Sequence, residues 1–358
     1  MSKSTFITLM SVPLFLSCGA PQSHGTQSEL LSGWDFFNNP ELMENETPLE
    51  RNFSKLPVDG KLENEPWSDD YWPSQFGGIA HRWNHPAPMM FKYTSPTLQQ
   101  VQAMTSEELM QLSPAEKFDI YEGRYDFPTV KAEWARTGVR SLSWEGLCDG
   151  IAMVSLLLPE PRPTLIRGAH GISVPFGSSD VKALLAYADM VLVPSSRRSV
   201  GSWCRAGFLP ESDACSDVNA AVFHIILSNE IGLHKRGFVA DVDPGKEIWN
   251  HPAFGFNTKI LERRSGRSQR AATTTVEEIT LETVVSYAPI SAAPQWSTVQ
   301  GAAPLTKTYR YTLELDEKQT IVGGEWLTEE HPDVLWVTWL NHERFPRSIL
   351  NIYEHARH

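Results

Sequence analysis

Trp144-Glu-Gly-Leu-Cys-Asp-Gly-Ile-Ala-Met-Val-Ser155 is the stretch on which the reading of the fold turns. A Gly-bearing turn runs into an apolar segment that continues to Leu158, which predicts a buried helix starting at Cys148 and ended by Pro159 to Pro163. A thiol at the start of a helix meets the positive end of the macrodipole, which favours the thiolate. A thiolate is a nucleophile, so Cys148 points toward covalent acyl chemistry. Upstream, Leu98 to Gly123 has a helical pattern, with capping boxes at Thr105–Glu108 and Ser113–Glu116 and Pro114 at a first helical position. Downstream, a second helix is predicted over Ser179–Val191. Strands are then expected at Ala220–Leu227, Gly237–Val242, Thr274–Tyr287, Thr308–Leu315 and Thr320–Trp326, with Asp316–Gln319 closing a hairpin between the last two. Arg263–Arg270 reads as a solvated loop, and the chain after Leu340 as a polar tail. Helices first and strands later predict an α+β fold, with a helical part carrying the Cys followed by an antiparallel sheet.

The chain has 358 residues, 41% of them hydrophobic, so it can bury a sizeable core. Its net charge of -12 argues against a nucleic-acid partner. Residues 1–20 read as an export signal: Lys3 supplies charge, and Phe6–Leu16 is an apolar run too short to span a membrane. Leu16-Ser-Cys-Gly19 resembles a bacterial lipoprotein processing site, which makes Cys18 a lipidation candidate; cleavage near Ala20 is the alternative. Residues 21–56 are polar and read as a flexible tether or pro-region, leaving residues 57–358 as the catalytic domain. Of the four Cys, Cys204 and Cys215 are expected to close a short disulfide loop, and Cys148 is left without a partner.

A cysteine nucleophile needs a base, and the base needs an orienting group. His224 is the polar residue within the expected strand Ala220–Leu227. If Ser228–Arg236 joins that strand to the next, Asp241 can lie beside the His ring, with Asp243 on the same face as the alternative orienter. Cys148, His224 and Asp241 then follow the papain and transglutaminase order. Besides the Cys148 backbone N–H, Trp144 and Asn219 are the candidates for an oxyanion donor or the substrate groove. No pair of Cys or His has zinc spacing and no Walker or dinucleotide glycine pattern occurs, so no cofactor is expected; the acidic loops leave calcium as an alternative, although no loop has EF-hand spacing.

Glu247-Ile-Trp-Asn-His-Pro-Ala-Phe-Gly-Phe256 resembles the surface peptide of the transglutaminase elicitor family, through Trp249, Asn250, Pro252, Gly255 and Phe256. Pro66-Trp67, Tyr71-Trp-Pro73, Trp144–Cys148, Pro175–Lys182, Asp217–Asn219, Phe223-His224 and Ile321–Trp326 resemble other blocks of that family, in order. The resemblance implies a Cys-His-Asp transglutaminase with Cys148 as nucleophile, His224 as base and Asp241 as orienter. It also implies a protein or peptide glutamine donor and a primary amine acceptor as partners. Where the family reads Cys-His-Gly-Trp-Ala, this chain reads Cys148-Asp-Gly-Ile-Ala152, which sets a carboxylate beside the thiol. The expected activity is protein-glutamine γ-glutamyl transfer in an exported protein, secreted or held at the bacterial surface through Cys18. The alternatives are a cysteine amidase or peptidase using the same triad, and an inactive envelope or adhesion protein of the same fold.

Overall fold

The computed structural model describes residues 38–44, 47–194, 196–202, 217–243, 247–298, 303–338 and 342–357. Its helices are α1 (Leu98–Ala103), α2 (Ser106–Met110), α3 (Pro114–Glu122), α4 (Pro128–Arg136), α5 (Cys148–Leu157), α6 (Ser178–Tyr187), α7 (Ala220–Leu227) and α8 (Arg347–Ala356). The strands are β1 (Asp59–Lys61), β2 (Thr164–Arg167), β3 (Ser173–Phe176), β4 (Arg197–Gly201), β5 (Phe238–Asp241), β6 (Asn250–Ser265), β7 (Glu277–Tyr287), β8 (Leu305–Leu315), β9 (Ile321–Trp326) and β10 (Val334–Thr338). The α+β class is as expected, with most helices before the main sheet.

The antiparallel sheet runs β4-β10-β5-β6-β7-β8-β9, with β1 added along β6. Residues of β5 and β10 alternate between two cores. Val239, Val334 and Trp336 pack on Ala152 and Met153 of α5. Phe238, Ala240, Leu335 and Val337 pack in the core that contains α7. Helices α5 and α7 therefore cover opposite faces of the sheet, because successive strand side chains point to opposite sides.

Local chemistry sets the helix ends. Thr97, Thr105 and Ser113 each close a capping box, the last two where the sequence places them. Each such cap stabilises its helix by about 0.5–2 kcal/mol. Gly150 lets α5 lie against α6, since a Cβ there would stand 2.6 Å from the Ala186 carbonyl oxygen. A buried ion pair, Lys117 Nζ to Asp180 Oδ2 at 2.6 Å, ties α3 to α6, and Asp180 also accepts from the Trp83 indole at 2.8 Å.

Four expectations are corrected. Ala220–Leu227 is a helix, begun by Asn219, whose Oδ1 accepts from the Ala221 N–H at 2.9 Å. Its residues are buried on every side, so it carries no polar stripe to reveal its period. The described residues between Asn38 and Leu56 are not a flexible tether: Met43, Leu49, Phe53 and Leu56 are buried in the α7-side core. The tail is not merely polar either, because α8 buries Ile349, Ile352, Tyr353 and Ala356 along one face. Arg263–Ser265 extend β6 before the exposed turn that follows. Cys18, Cys204 and Cys215 lie outside the described residues.

Candidate active site

Cys148 is the first residue of α5. The preceding turn is held by Tyr71, whose carbonyl accepts from the Leu147 N–H at 2.6 Å and whose hydroxyl donates to the Ser143 carbonyl at 2.7 Å. Gly146 is needed in that turn, because a Cβ would come within 2.2 Å of the Tyr71 carbonyl oxygen. Cys148 is 6% exposed and lines a cavity of about 260 Å³. Arg136, Trp144, Glu145, Asp149, Met190 and Ile248 are among the other residues that line it. Trp144 lines the same cavity as Cys148. A larger cavity of about 460 Å³ lies at the other end of α5, around Trp67 and Leu158, away from the thiol.

The sulfur donates to Asp149 Oδ1 at 3.3 Å. That same carboxylate oxygen accepts from Asn250 Nδ2 at 2.7 Å, and Asp149 Oδ2 pairs with Arg197 Nη1. Asn250 is fixed in turn by the Trp336 indole, which donates to Asn250 Oδ1 at 2.8 Å. The Arg197 guanidinium lies over the Trp336 ring, 4.4 Å from its centroid. Three elements (α5, β4 and β6) thereby meet at one carboxylate, and β10 braces two of them through Trp336.

The electrostatics run against the helix-dipole expectation. Burial pushes the Cys148 thiol well above its ordinary value, and the Asp149 charge pushes it further the same way. Backbone N–H groups of Asn250 and Asp149 offset only part of this. The resting group is a neutral thiol with its proton directed at Asp149.

The expected triad does not assemble. His224 is buried in α7, on the sheet face opposite α5, where its Nδ1 meets the Tyr311 hydroxyl at 2.8 Å and its ring stacks on Phe53. Burial pushes its pKa down to about 3, so it is a neutral core histidine. Asp241 does share the α5 face, since it alternates with Val239 and pairs across the ladder with Asn250. Its Oδ1 accepts from the backbone N–H of Trp249 at 2.9 Å and of Asp243 at 3.4 Å, so it orders the start of β6. Asn219 is the cap of α7 and donates to the Gly324 carbonyl at 3.1 Å, which removes it as an oxyanion donor beside Cys148. Asp243 lies just past the end of β5.

The elicitor-like segment is also placed differently from a surface peptide. Asn250 to Phe256 is the buried start of β6, flanked by β5 and β1 on one side and β7 on the other. Trp249 packs its ring edge on Tyr71, centroids 5.2 Å apart, close to the turn that precedes Cys148. Sequence reasoning missed Arg197 and Trp336 as site residues. Arg197 carries no local signal, and Trp336 is one of twelve tryptophans. Asn250 belongs to the elicitor-like segment, and nothing local in the sequence marks its contact with Asp149. Among the described residues, no group of three or more His, Cys, Asp or Glu side chains could hold a metal ion.

The sequence matches the family described as transglutaminase elicitor over residues 43–281 and 294–344, and the chain belongs to that family. Among solved structures it is similar to the GP42 transglutaminase from Phytophthora sojae, with 20% sequence identity and a TM-score of 0.61. That similarity covers 82% of this chain and 87% of the other. No curated protein matches.

Proposed function

We propose that this protein is an acyltransferase of the transglutaminase kind. A glutamine carboxamide acylates Cys148, ammonia leaves, and a primary amine takes the acyl group from the thioester. The observation that carries this reading is the position of Cys148: first residue of α5, lining a cavity of about 260 Å³. A helix start offers backbone N–H groups to the oxyanion of a tetrahedral intermediate. The Trp144, Met190 and Ile248 side chains give the cavity apolar surface that disfavours water relative to an organic amine. Family membership and the shared fold support the same assignment. The leader-like residues 1–20 support export, with Cys18 as a candidate lipid anchor.

The test is incorporation of a biotinylated alkylamine into a glutamine-bearing peptide. The wild type is expected to incorporate label and Cys148→Ala to fall to background; label retained in the variant would sink the assignment. One observation favours the inactive-fold reading, namely the raised thiol pKa. A wild type that neither labels the peptide nor releases ammonia from it would support that reading. Ammonia released without label would support a hydrolase.

A further inference from the structure

We infer that Asp149 is the catalytic base of this site, forming a Cys148–Asp149 dyad in which Asn250, Arg197 and Trp336 are positioning residues. The inference rests on the reading of Cys148 as an acyl-accepting nucleophile. Its ground is geometric. The sulfur has one side-chain hydrogen-bond partner among the described residues, Asp149 Oδ1 at 3.3 Å. The carboxylate is held from both sides, by Asn250 at 2.7 Å and by the Arg197 ion pair. Asn250 is locked by Trp336, and Trp336 also carries the Arg197 guanidinium on its face. A carboxylate fixed by that many partners, with one oxygen on a thiol proton, is arranged as a base and its orienting groups are arranged around it. The histidine that sequence reasoning assigns to the task lies across the sheet.

The chemistry balances. As the sulfur electron pair attacks the donor carbonyl carbon, the thiol proton moves to Asp149 Oδ1. The C–N bond of the tetrahedral intermediate breaks, and the leaving nitrogen takes that proton from Asp149 and departs as ammonia. In the second half the amine attacks the thioester carbon and its proton passes to Asp149. The C–S bond then breaks, and the proton returns to sulfur. No oxidant, reductant or further reactant is required.

The experiment compares two reactions of Cys148 in the full chain. Alkylation by iodoacetamide follows the free thiolate, whereas acylation by p-nitrophenyl acetate can be assisted by a base. Asp149→Asn removes a like charge beside sulfur, so alkylation near neutral pH is expected to rise by roughly tenfold for each pKa unit lost. Acylation is expected to fall by about 10²-fold or more, the scale of general-base assistance. Acylation that rises in step with alkylation would overturn the dyad. A second readout needs only the wild type: its acylation should persist at pH values where alkylation has already fallen away. Superimposed pH profiles would overturn the dyad as well. If the ester reaction depends on Asp149 while a glutamine peptide is inert, the dyad stands and the glutamine reading falls. If neither donor acylates the wild type, both fall.

Discussion

His224 and Asp149 show how burial decides the work of a side chain. His224 is enclosed by apolar residues and one hydroxyl, and burial holds it neutral. Its folded pKa of about 3 lies below the unfolded value near 6.5. The contribution to stability is therefore present above about pH 6.5 and is lost as pH falls toward 3, because only the unfolded state then takes up the proton. His224→Phe is expected to flatten that acid loss in a thermal melt. It should cost about 1–2 kcal/mol near neutral pH through the lost Tyr311 hydrogen bond. Amine incorporation should survive it; a folded variant without activity would return His224 to the catalytic list. Cys148 was legible in the sequence because an apolar run following a Gly turn marks a helix start. Its partners were less legible, since Arg197, Asn250 and Trp336 come from strands far apart in sequence and meet only in the sheet.

At the scale of elements, the ladder β10-β5-β6 brings Trp336, Asp241 and Asn250 to one face. The same ladder concentrates acid. Asp333, just before β10, is buried, and Asp217, Asp241 and Asp243 surround it with like charge. Burial first, and these three carboxylates second, push its pKa up to about 7. A raised carboxyl contributes stability below its unfolded pKa near 3.9, and that stability is lost as pH rises through about 7. Asp333→Asn is expected to raise Tm by a few degrees at pH 8, with the gap closing as pH falls below 4. A gap independent of pH would contradict this account of the cluster. Helix α7 is decided at this scale too. Ala-Ala-Val-Phe-His-Ile-Ile-Leu is apolar throughout and rich in β-branched residues, so periodicity does not separate strand from helix. The cap at Asn219 was the available signal. In contrast, the β8–β9 hairpin was legible because its alternation is interrupted by one polar turn.

Across the described molecule, β6 joins the two faces of the fold. Its first residues are Asn250, which holds Asp149, and His251, which turns to the opposite side and meets the Ala288 carbonyl at 2.9 Å. Because Ala253 to Asn257 lies between paired strands on both edges, its amides should exchange only in large openings of the fold. Hydrogen exchange followed by mass spectrometry is expected to place residues 253–257 among the slowest. Fast exchange there would contradict the buried strand and restore the segment to the surface. The sequence blocks that carry the family resemblance could not show this, since a matched block fixes residue identity and leaves exposure open. The α+β class needed only the order of elements, whereas the site needed the register of the sheet.

The most direct measurement of the central claim is the mass of the acyl-enzyme. The protein is mixed with a glutamine-bearing peptide without amine, quenched in acid, and mapped by proteolysis and mass spectrometry. The expected result is one acyl adduct on Cys148, with loss of ammonia from the donor, discharged on adding a primary amine and absent from Cys148→Ala. An unmodified Cys148 under conditions where amine incorporation proceeds, or an adduct that forms on another residue, would contradict it.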